Sequence, residues 1–222
     1  MHRKPDELCA TSPNQIWSWD ITYLQSNIRG KYFYLYLFLY IFSRKIVGFN
    51  VFDQQCSEYA ACVIARAYVD EKLKEGDVIL HSDNGSPMKG STMLATLQML
   101  GIVPSFSRPS VSDDNPFSES LFKTLKYCPQ YPSKPFISEE DALKWVTKFV
   151  DWYNNIHQHS GINFVTPNAR HQGLDKQILS NREKVYEVSK LQNPSRWSRN
   201  VRNWMCIDEV YLNTKRTNKK IA

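Results

Sequence analysis

The sequence predicts a mixed α/β domain, because strand-like segments near its start give way to alternating helical and strand-like patterns. Residues 15–24, 31–42 and 45–53 are rich in aromatic and β-branched residues and are joined by short turn signals, which predicts an antiparallel meander. Apolar residues then recur at helical spacing after Ser57, a possible cap, and Gly76 is the expected end of that helix.

Two more strands and a helix are expected in the next thirty residues. Residues 78–80 form a short apolar run that leads into the turn dipeptide Asn84-Gly85. A helix is predicted from about residue 91 to residue 100, ended by Gly101, and a short strand follows at residues 102–106. Together with the meander, these segments predict a mixed five-stranded sheet flanked by helices.

Two further helices carry clear start signals. Asn115 is a natural N-cap, Pro116 suits the first helical position, and Glu119 then falls in the first turn. A longer helix is predicted over residues 139–156, with Ser138 as its cap and an apolar stripe that we assign to the core.

Composition restricts the classes of function. The 222 residues carry a net charge of +6, which favours a polyanionic partner such as DNA. Five cysteines without a CxxC pair argue against a disulfide framework and against a zinc knuckle, and are typical of a cytoplasmic protein. The longest apolar run, residues 32–42, is too short to cross a bilayer, so we expect no membrane association.

We expect three parts in the chain: an N-terminal arm at residues 1–14, a catalytic core at 15–160 and a basic C-terminal extension at 161–222. From residue 190 onwards the sequence has eight Lys and Arg residues but only two acidic residues, and Trp197, Trp204 and Tyr211 are interleaved with them. This pattern is typical of nucleic-acid binding and equally of a solvated tail with anchoring aromatics, and composition alone leaves both open.

Three acids stand out as candidate site residues. Asp20 interrupts the apolar first strand, where an unpaired charge would be costly. Asp83 directly follows a buried strand, although Asp is also an ordinary turn residue. Glu119 shares one face of its helix with Lys123 and Lys126, which alone would be typical of a solvated face with an i, i+4 pair.

The spacing of these acids and the surrounding motifs resemble a known family. Thirty-five residues separate Asp83 from Glu119, and the chain contains WSWDITYL, FSRKIVG, LHSDNGSPM, DDNPFSESLFKTLK and DWYNNIHQHSGINFVTPNARH in this order. Nearly the whole chain is similar to bacterial insertion-sequence transposases of the DDE class, which carry a retroviral-integrase-like core. An acid triad alone would be weak evidence, but several long motifs in the right order are specific.

The resemblance implies an RNase H-like fold in which Asp20, Asp83 and Glu119 are both the catalytic residues and the metal ligands. Two Mg²⁺ or Mn²⁺ ions per active site would be held by these carboxylates, because hard cations prefer oxygen ligands. The implied reaction is cleavage of DNA phosphodiesters followed by strand transfer, carried out by a homodimer or higher oligomer on the element ends and the target.

A second set of residues is expected to contact DNA. Lys123 and Lys126 would meet the backbone beside the acids, and Asn84 lies next to Asp83 in the sequence. Arg108 precedes the Glu119 helix and is equally compatible with a phosphate contact or with solvent. The extension contributes Arg196, Arg199 and Arg202.

Other polar residues are weaker candidates. Asp113 and Asp114 precede the Glu119 helix and could be ligands, but loop and cap roles are favoured there. His81, His157 and His159 lack the regular spacing of a zinc site, so we expect structural roles or phosphate contacts.

The chain also departs from the family pattern. Relatives tend to have an acid where Tyr40 stands and a basic residue where Cys128 stands. Only nineteen residues precede Asp20, so we expect recognition of the element ends to depend on another region or a separate protein. Two alternatives therefore stay open: a transposase-derived DNA-binding protein without catalysis, and an RNase H-like nuclease that does not join strands. In each case we expect a bacterial protein of the cytoplasm, associated with the nucleoid.

Overall fold

The computed structural model describes residues 7–108 and 114–213. Its strands are β1 (Leu8–Ala10), β2 (Ile16–Gln25), β3 (Tyr32–Tyr40), β4 (Ile46–Phe52), β5 (Ile79–Ser82), β6 (Val103–Phe106) and β7 (Val210–Leu212). Its α-helices are α1 (Ser57–Asp70), α2 (Ser86–Lys89), α3 (Ser91–Met99), α4 (Pro116–Tyr127), α5 (Glu139–Asn155), α6 (Pro167–His171) and α7 (Asp175–Gln192).

Five of the strands form one mixed sheet in the order β4-β3-β2-β5-β6. The first three are the predicted antiparallel meander. Strand β5 then pairs in parallel with β2, and β6 pairs in parallel with β5, each after a helical crossover. Strand β2, which carries Asp20, therefore lies at the centre of the sheet. This arrangement confirms the fold class that the sequence predicts.

The sheet buries both of its faces, because successive side chains of a strand point in opposite directions. On one face Trp17, Trp19 and Phe38 pack with α1, α2 and α3. On the other face Leu35, Leu37 and Leu39 pack against α4 and α5. The rings of Trp19 and Phe38 stack with their centroids 4.9 Å apart, so aromatic pairs across β2 and β3 reinforce the hydrogen-bonded ladder.

Several predicted boundaries were wrong by a few residues. Helix α1 has Cys56, not Ser57, at its N-cap position, and it ends at Asp70. Gly76 has φ +82° in the turn that follows, six residues after the end of α1, so it shapes that turn rather than ending the helix. Strand β5 continues to Ser82, because its parallel pairing with β2 and β6 extends beyond the apolar run.

The described part of the C-terminal extension folds onto the core. Strand β7 pairs antiparallel with β1, and Leu212 and Val210 pack with Ile16 and Ile41. Residues Ile162, Val165, Leu179 and Trp204 form a further apolar cluster. Most residues from 191 to 209 are exposed while Trp204 is buried, which fits a solvated segment with an anchoring aromatic, and DNA binding by this segment stays a prediction.

Arg170 joins the extension to the sheet. Its guanidinium is buried, and it donates hydrogen bonds to the Phe42 carbonyl at 2.8 Å, the Asp175 carboxylate at 3.1 Å and the Ile207 carbonyl. Among residues 7–108 and 114–213 no helix is both long and apolar enough to cross a membrane.

Candidate active site

Asp20 and Asp83 are placed side by side by the pairing of β2 with β5. The parallel register pairs Ile16 with Ile79 and continues residue by residue to Trp19 with Ser82. Asp20 and Asp83 directly follow this last pair, and neighbouring strands lie about 4.8 Å apart. Asp20 pairs with Leu37 across β2 and β3, and Leu37 packs on the face that is covered by α4 and α5, so Asp20 lies on that face. The negative charge of Asp83 acts on Asp20 there.

Hydrogen bonds hold the end of β5. The Ser107 hydroxyl donates to Asp83 Oδ1 at 2.9 Å, and the Asn84 amide donates to the Ser107 carbonyl. Asp83 is partly buried, and one of its oxygens is oriented by Ser107, the residue that directly follows β6. The side chain of Asn84, predicted to contact DNA, is used within the protein to join the ends of β5 and β6.

Helix α4 brings Glu119 to the same face. Asn115 occupies the N-cap position, as predicted, but its side chain makes no capping hydrogen bond. Instead its amide accepts from the Ser18 hydroxyl and donates to the Trp19 carbonyl at 3.2 Å. The Ser118 and Ser18 hydroxyls lie 2.7 Å apart, so the first turn of α4 is attached to β2 two residues before Asp20.

The apolar side of α4 faces the core. Leu121 and Leu125 are buried, and Phe117 is partly buried, whereas Glu119, Lys123 and Lys126 are exposed. The predicted division of this helix into a core face and a charged face is therefore correct.

Asp20 is electrostatically strained. Burial above all, together with the negative charges of Asp83 and Glu119, raises the pKa of its carboxyl group from 3.8 to about 7. The hydrogen bond from the Ile21 amide to Asp20 Oδ1, 2.7 Å long, opposes this shift. The two other acids therefore act on Asp20 through space, although they come from separate elements.

The three acids suit a hard divalent cation by their chemistry. Among residues 7–108 and 114–213, no three acidic, histidine or cysteine side chains are close enough to form a finished metal site. The oxygen donors, their mutual repulsion and the raised pKa of Asp20 fit a centre that a divalent cation would draw together. We therefore regard Asp20, Asp83 and Glu119 as residues that would hold such an ion.

The loop before α4 is anchored by a charge pair. Arg108 donates to both carboxylate oxygens of Asp114, at 2.9 and 3.0 Å, and its backbone amide also donates to Asp114. Asp114 is buried, which supports the loop role that the sequence favoured for it, while Asp113 lies outside the described residues. The guanidinium of Arg108 is therefore held by Asp114 and does not simply point into solvent, and a phosphate contact by Arg108 stays a prediction.

His81 belongs to this anchor. It is buried beneath the acids, with Nε2 2.9 Å from the Asp114 carbonyl and Nδ1 2.9 Å from the Ser105 hydroxyl. The carbonyl can only accept, so Nε2 carries the proton. Burial lowers the pKa of His81, which keeps it neutral and structural.

The remaining histidines also have neighbours that explain them. The His157 ring lies against Trp152, and His159 Nδ1 accepts from the Gly161 amide at 3.0 Å. Burial lowers the pKa of both, that of His159 to about 4, so neither is a cation near neutral pH.

Tyr40 and Cys128, the two departures from the family pattern, are both buried. Tyr40 pairs with Trp17 across β2 and β3 and contacts the His171 ring. Neither residue belongs to the acid cluster, so the two departures leave the three carboxylates in place.

The basic residues of the extension differ in their surroundings. Arg196 and Arg199 are exposed. Arg202 is also exposed overall, but its guanidinium lies 5.0 Å from the Phe164 ring centre and 5.8 Å from that of Trp204. Arg202 therefore contributes to packing as well as to surface charge.

Sequence reasoning missed the polar residues that support the acids. Ser18, Ser107 and Ser118 are all buried, and each bonds across two elements. A weak signal was present for Ser18, because it lies two residues before Asp20 on a strand and therefore on the same face.

Comparison with known proteins gives a consistent result. A family model described as an integrase core domain matches residues 10–112, and a second model with that description matches residues 100–167. The transposase for insertion sequence element IS904 of Lactococcus lactis is 31% identical over 159 residues, which are 71% of this chain and 61% of that protein. The transposase InsF for insertion sequence IS3A of Escherichia coli is 28% identical over 160 residues, or 71% of this chain and 54% of that protein.

A solved structure shows the same fold. The cryo-EM structure of a simian T-cell lymphotropic virus intasome in complex with PP2A regulatory subunit B56 gamma matches with a TM-score of 0.59 and 18% identity. The match covers 77% of this chain and 59% of that one. The chain spans 61% and 54% of the lengths of the two transposases above.

Proposed function

Because the chain belongs to the insertion-sequence transposases that carry an integrase core domain of RNase H-like fold, we propose that it cleaves DNA phosphodiesters and joins DNA strands. The observation that carries the proposal is the parallel pairing of β2 with β5, which ends directly before Asp20 and Asp83, together with the effect of the Asp83 and Glu119 charges on Asp20.

The reaction needs two in-line displacements at phosphorus. In the first, a water oxygen bonds to phosphorus and the 3′ oxygen leaves as a hydroxyl. In the second, that 3′ hydroxyl attacks a phosphodiester of the target, and the 3′ oxygen of the target strand leaves. Both steps exchange one P–O bond for another, so one site can serve both.

Asp20, Asp83 and Glu119 are proposed to bind the metal, and the proposed cofactor is Mg²⁺ or Mn²⁺, two ions per site. When bound, such ions activate the attacking oxygen and stabilise the leaving oxygen. The chain itself would supply orientation: Ser107 fixes one oxygen of Asp83, and the Ile21 amide fixes one oxygen of Asp20.

DNA is the proposed partner, as element ends and as target. The exposed Lys123 and Lys126 continue the Glu119 face of α4, and they are suitably placed to contact phosphates beside the acids. We further propose a homodimer or higher oligomer on DNA, with end recognition by another region or protein. The site of action would be the nucleoid in the bacterial cytoplasm.

The test uses labelled element-end DNA with Mn²⁺ or Mg²⁺, scoring nicking and joining separately. Asp83→Asn should abolish both activities, while Asp151→Asn, at an exposed position on α5, should retain both. Equal nicking by wild type and Asp83→Asn would refute the role of Asp83. If the wild type nicks DNA but joins it to none of several target DNA sequences, the nuclease alternative is favoured. If the wild type shows neither activity, the alternative of a DNA-binding protein without catalysis is favoured.

A further inference from the structure

We propose that Asn115 is a positioning residue: it attaches the Glu119 helix to the Asp20 strand and thereby sets the affinity of the site for divalent cations. The inference deepens the proposed function and rests on it in its metal-binding part. It also predicts that the electrostatic coupling between Asp20 and Glu119 in the metal-free protein depends on Asn115.

Asn115 occupies a position at which Asn normally caps a helix through its side chain. Here the side chain makes no capping bond and is turned towards β2. The orientation of its amide is determined by its partners, because the Trp19 carbonyl can only accept and must therefore face the amide nitrogen. The amide oxygen is then left to accept from the Ser18 hydroxyl.

The two bonded residues, Ser18 and Asn115, lie at similar distances from Asp20 and Glu119 respectively. Ser18 lies two residues before Asp20, which is about 7 Å along a strand. Asn115 lies four residues before Glu119, which is about 6 Å along a helix. The hydrogen bond between Ser18 and Asn115 therefore restrains the position of Glu119 relative to Asp20, because each acid lies only about 6 to 7 Å from the bonded residue on its own element.

Burial strengthens the hydrogen bonds between Asn115 and β2. Asn115 and Ser18 are fully inaccessible to solvent, and Ser118 is 1% exposed. In such surroundings water cannot replace a broken hydrogen bond, so the helix cannot slide along the strand without leaving polar groups unpaired. Glu119 itself is exposed, so the buried attachment lies one helical turn before the acid that it positions.

The chain contains a matched control for this role. Asn154 is also a buried amide that ties a helix to a strand, accepting from the Ile46 amide and donating to the Ile46 carbonyl, both at 2.9 Å. It joins α5 to β4, the edge strand of the sheet, and not to the acid-bearing strand β2. The same substitution at the two positions therefore removes the same kind of bridge, and only one bridge is attached to the acid cluster.

The experiment compares Asn115→Ser with Asn154→Ser. Serine at 115 can cap α4, so the helix is retained, while the amide bridge to Ser18 and Trp19 is lost and the contact between Ser18 and Ser118 is the attachment that remains. We expect Asn115→Ser to raise the Mn²⁺ concentration for half-maximal thermal stabilisation by roughly tenfold or more, as is usual for residues that support metal ligands. Asn154→Ser should lower the metal-free melting temperature but leave the Mn²⁺ midpoint within about twofold of wild type. An unchanged midpoint in Asn115→Ser would overturn the inference.

A metal-free measurement separates this inference from the proposed function. In EDTA at pH 9, a double-mutant cycle of Asp20→Asn and Glu119→Gln reports the repulsion between the two acids. We expect a measurable coupling in wild type and in Asn154→Ser, and its loss in Asn115→Ser. If no variant responds to Mn²⁺, the proposed function fails, and this cycle alone decides the role of Asn115. Coupling that persists unchanged in Asn115→Ser would overturn that role.

Discussion

Replacing Asp20 with Asn should stabilise the metal-free protein, and the gain should depend on pH. The folded-state pKa of Asp20 is about 7, raised from 3.8, so folding favours its protonated form. Below about pH 4 the carboxyl group is protonated in both the folded and the unfolded state, so it does not lower the free energy of unfolding. As the pH rises towards 7, the unfolded state ionises first and the folded state loses stability relative to it.

The magnitude follows from the shift. A difference of about three pKa units corresponds to ~4 kcal/mol in the free energy of unfolding, the largest gain that Asp20→Asn can give above pH 7. The amide oxygen of Asn can still accept from the Ile21 amide, so the existing hydrogen bond is retained. The measured gain should therefore be near zero at pH 4, grow through pH 5 and 6, and level off above pH 7.

Urea denaturation in EDTA between pH 4 and pH 9 measures this difference. Asp151→Asn, an exposed acid on α5, is the control and should show little change at any pH. Adding Mn²⁺ at pH 8 should stabilise wild type and reduce the advantage of the variant, because the ion binds the ionised carboxylate. A gain in stability that is the same at pH 4 and pH 8 would refute the assignment of strain to Asp20.

Two further predictions concern the basic residues and the buried arginine. Lys123→Ala and Lys126→Ala should each reduce the salt dependence of DNA binding by about one unit of log–log slope without changing the melting temperature, since both side chains are exposed; unaltered slopes would exclude them from the interface. Arg170→Met should cost roughly 3 to 5 kcal/mol in urea denaturation, because it leaves the buried Asp175 carboxylate unpaired. A loss below about 1 kcal/mol would show that the extension does not depend on this residue.

Local pattern accounts for what the sequence predicted well. The aromatic and β-branched content of β2, the apolar run before Asp83 and the amphipathic pattern of α4 depend on residues that are close in sequence, so local composition and period reveal them. The family motifs added the identity of the acids, which periodicity alone could not supply. Boundaries were less predictable, as Gly76 shows, because the point where a helix ends depends on the turn that follows.

Long-range pairing accounts for what the sequence could not predict. The parallel pairing that ends directly before Asp20 and Asp83 joins strands about sixty residues apart, and no local pattern encodes that offset. Asn115 was read as a cap because its neighbours suit one, whereas the buried Ser18 offered its side chain a tertiary partner. Likewise, the sequence allowed Trp204 to be an anchoring aromatic, but it could not show that Ile162 and Val165 are the residues that cover it.

The groups that support the acids are neutral, and this has a consequence for the chemistry of the site. Ser18, Asn115 and Ser107 orient the elements without adding charge, and burial keeps His81 in its neutral form. A supporting Lys or Arg at the same place would relieve the repulsion at Asp20 and so weaken the attraction for a divalent cation. Arg108, the cation beside this region, is held by the buried Asp114 in a bidentate pair. These supporting groups thus add no positive charge beside the three acids, so none of them would compete with a hard cation for the carboxylate oxygens.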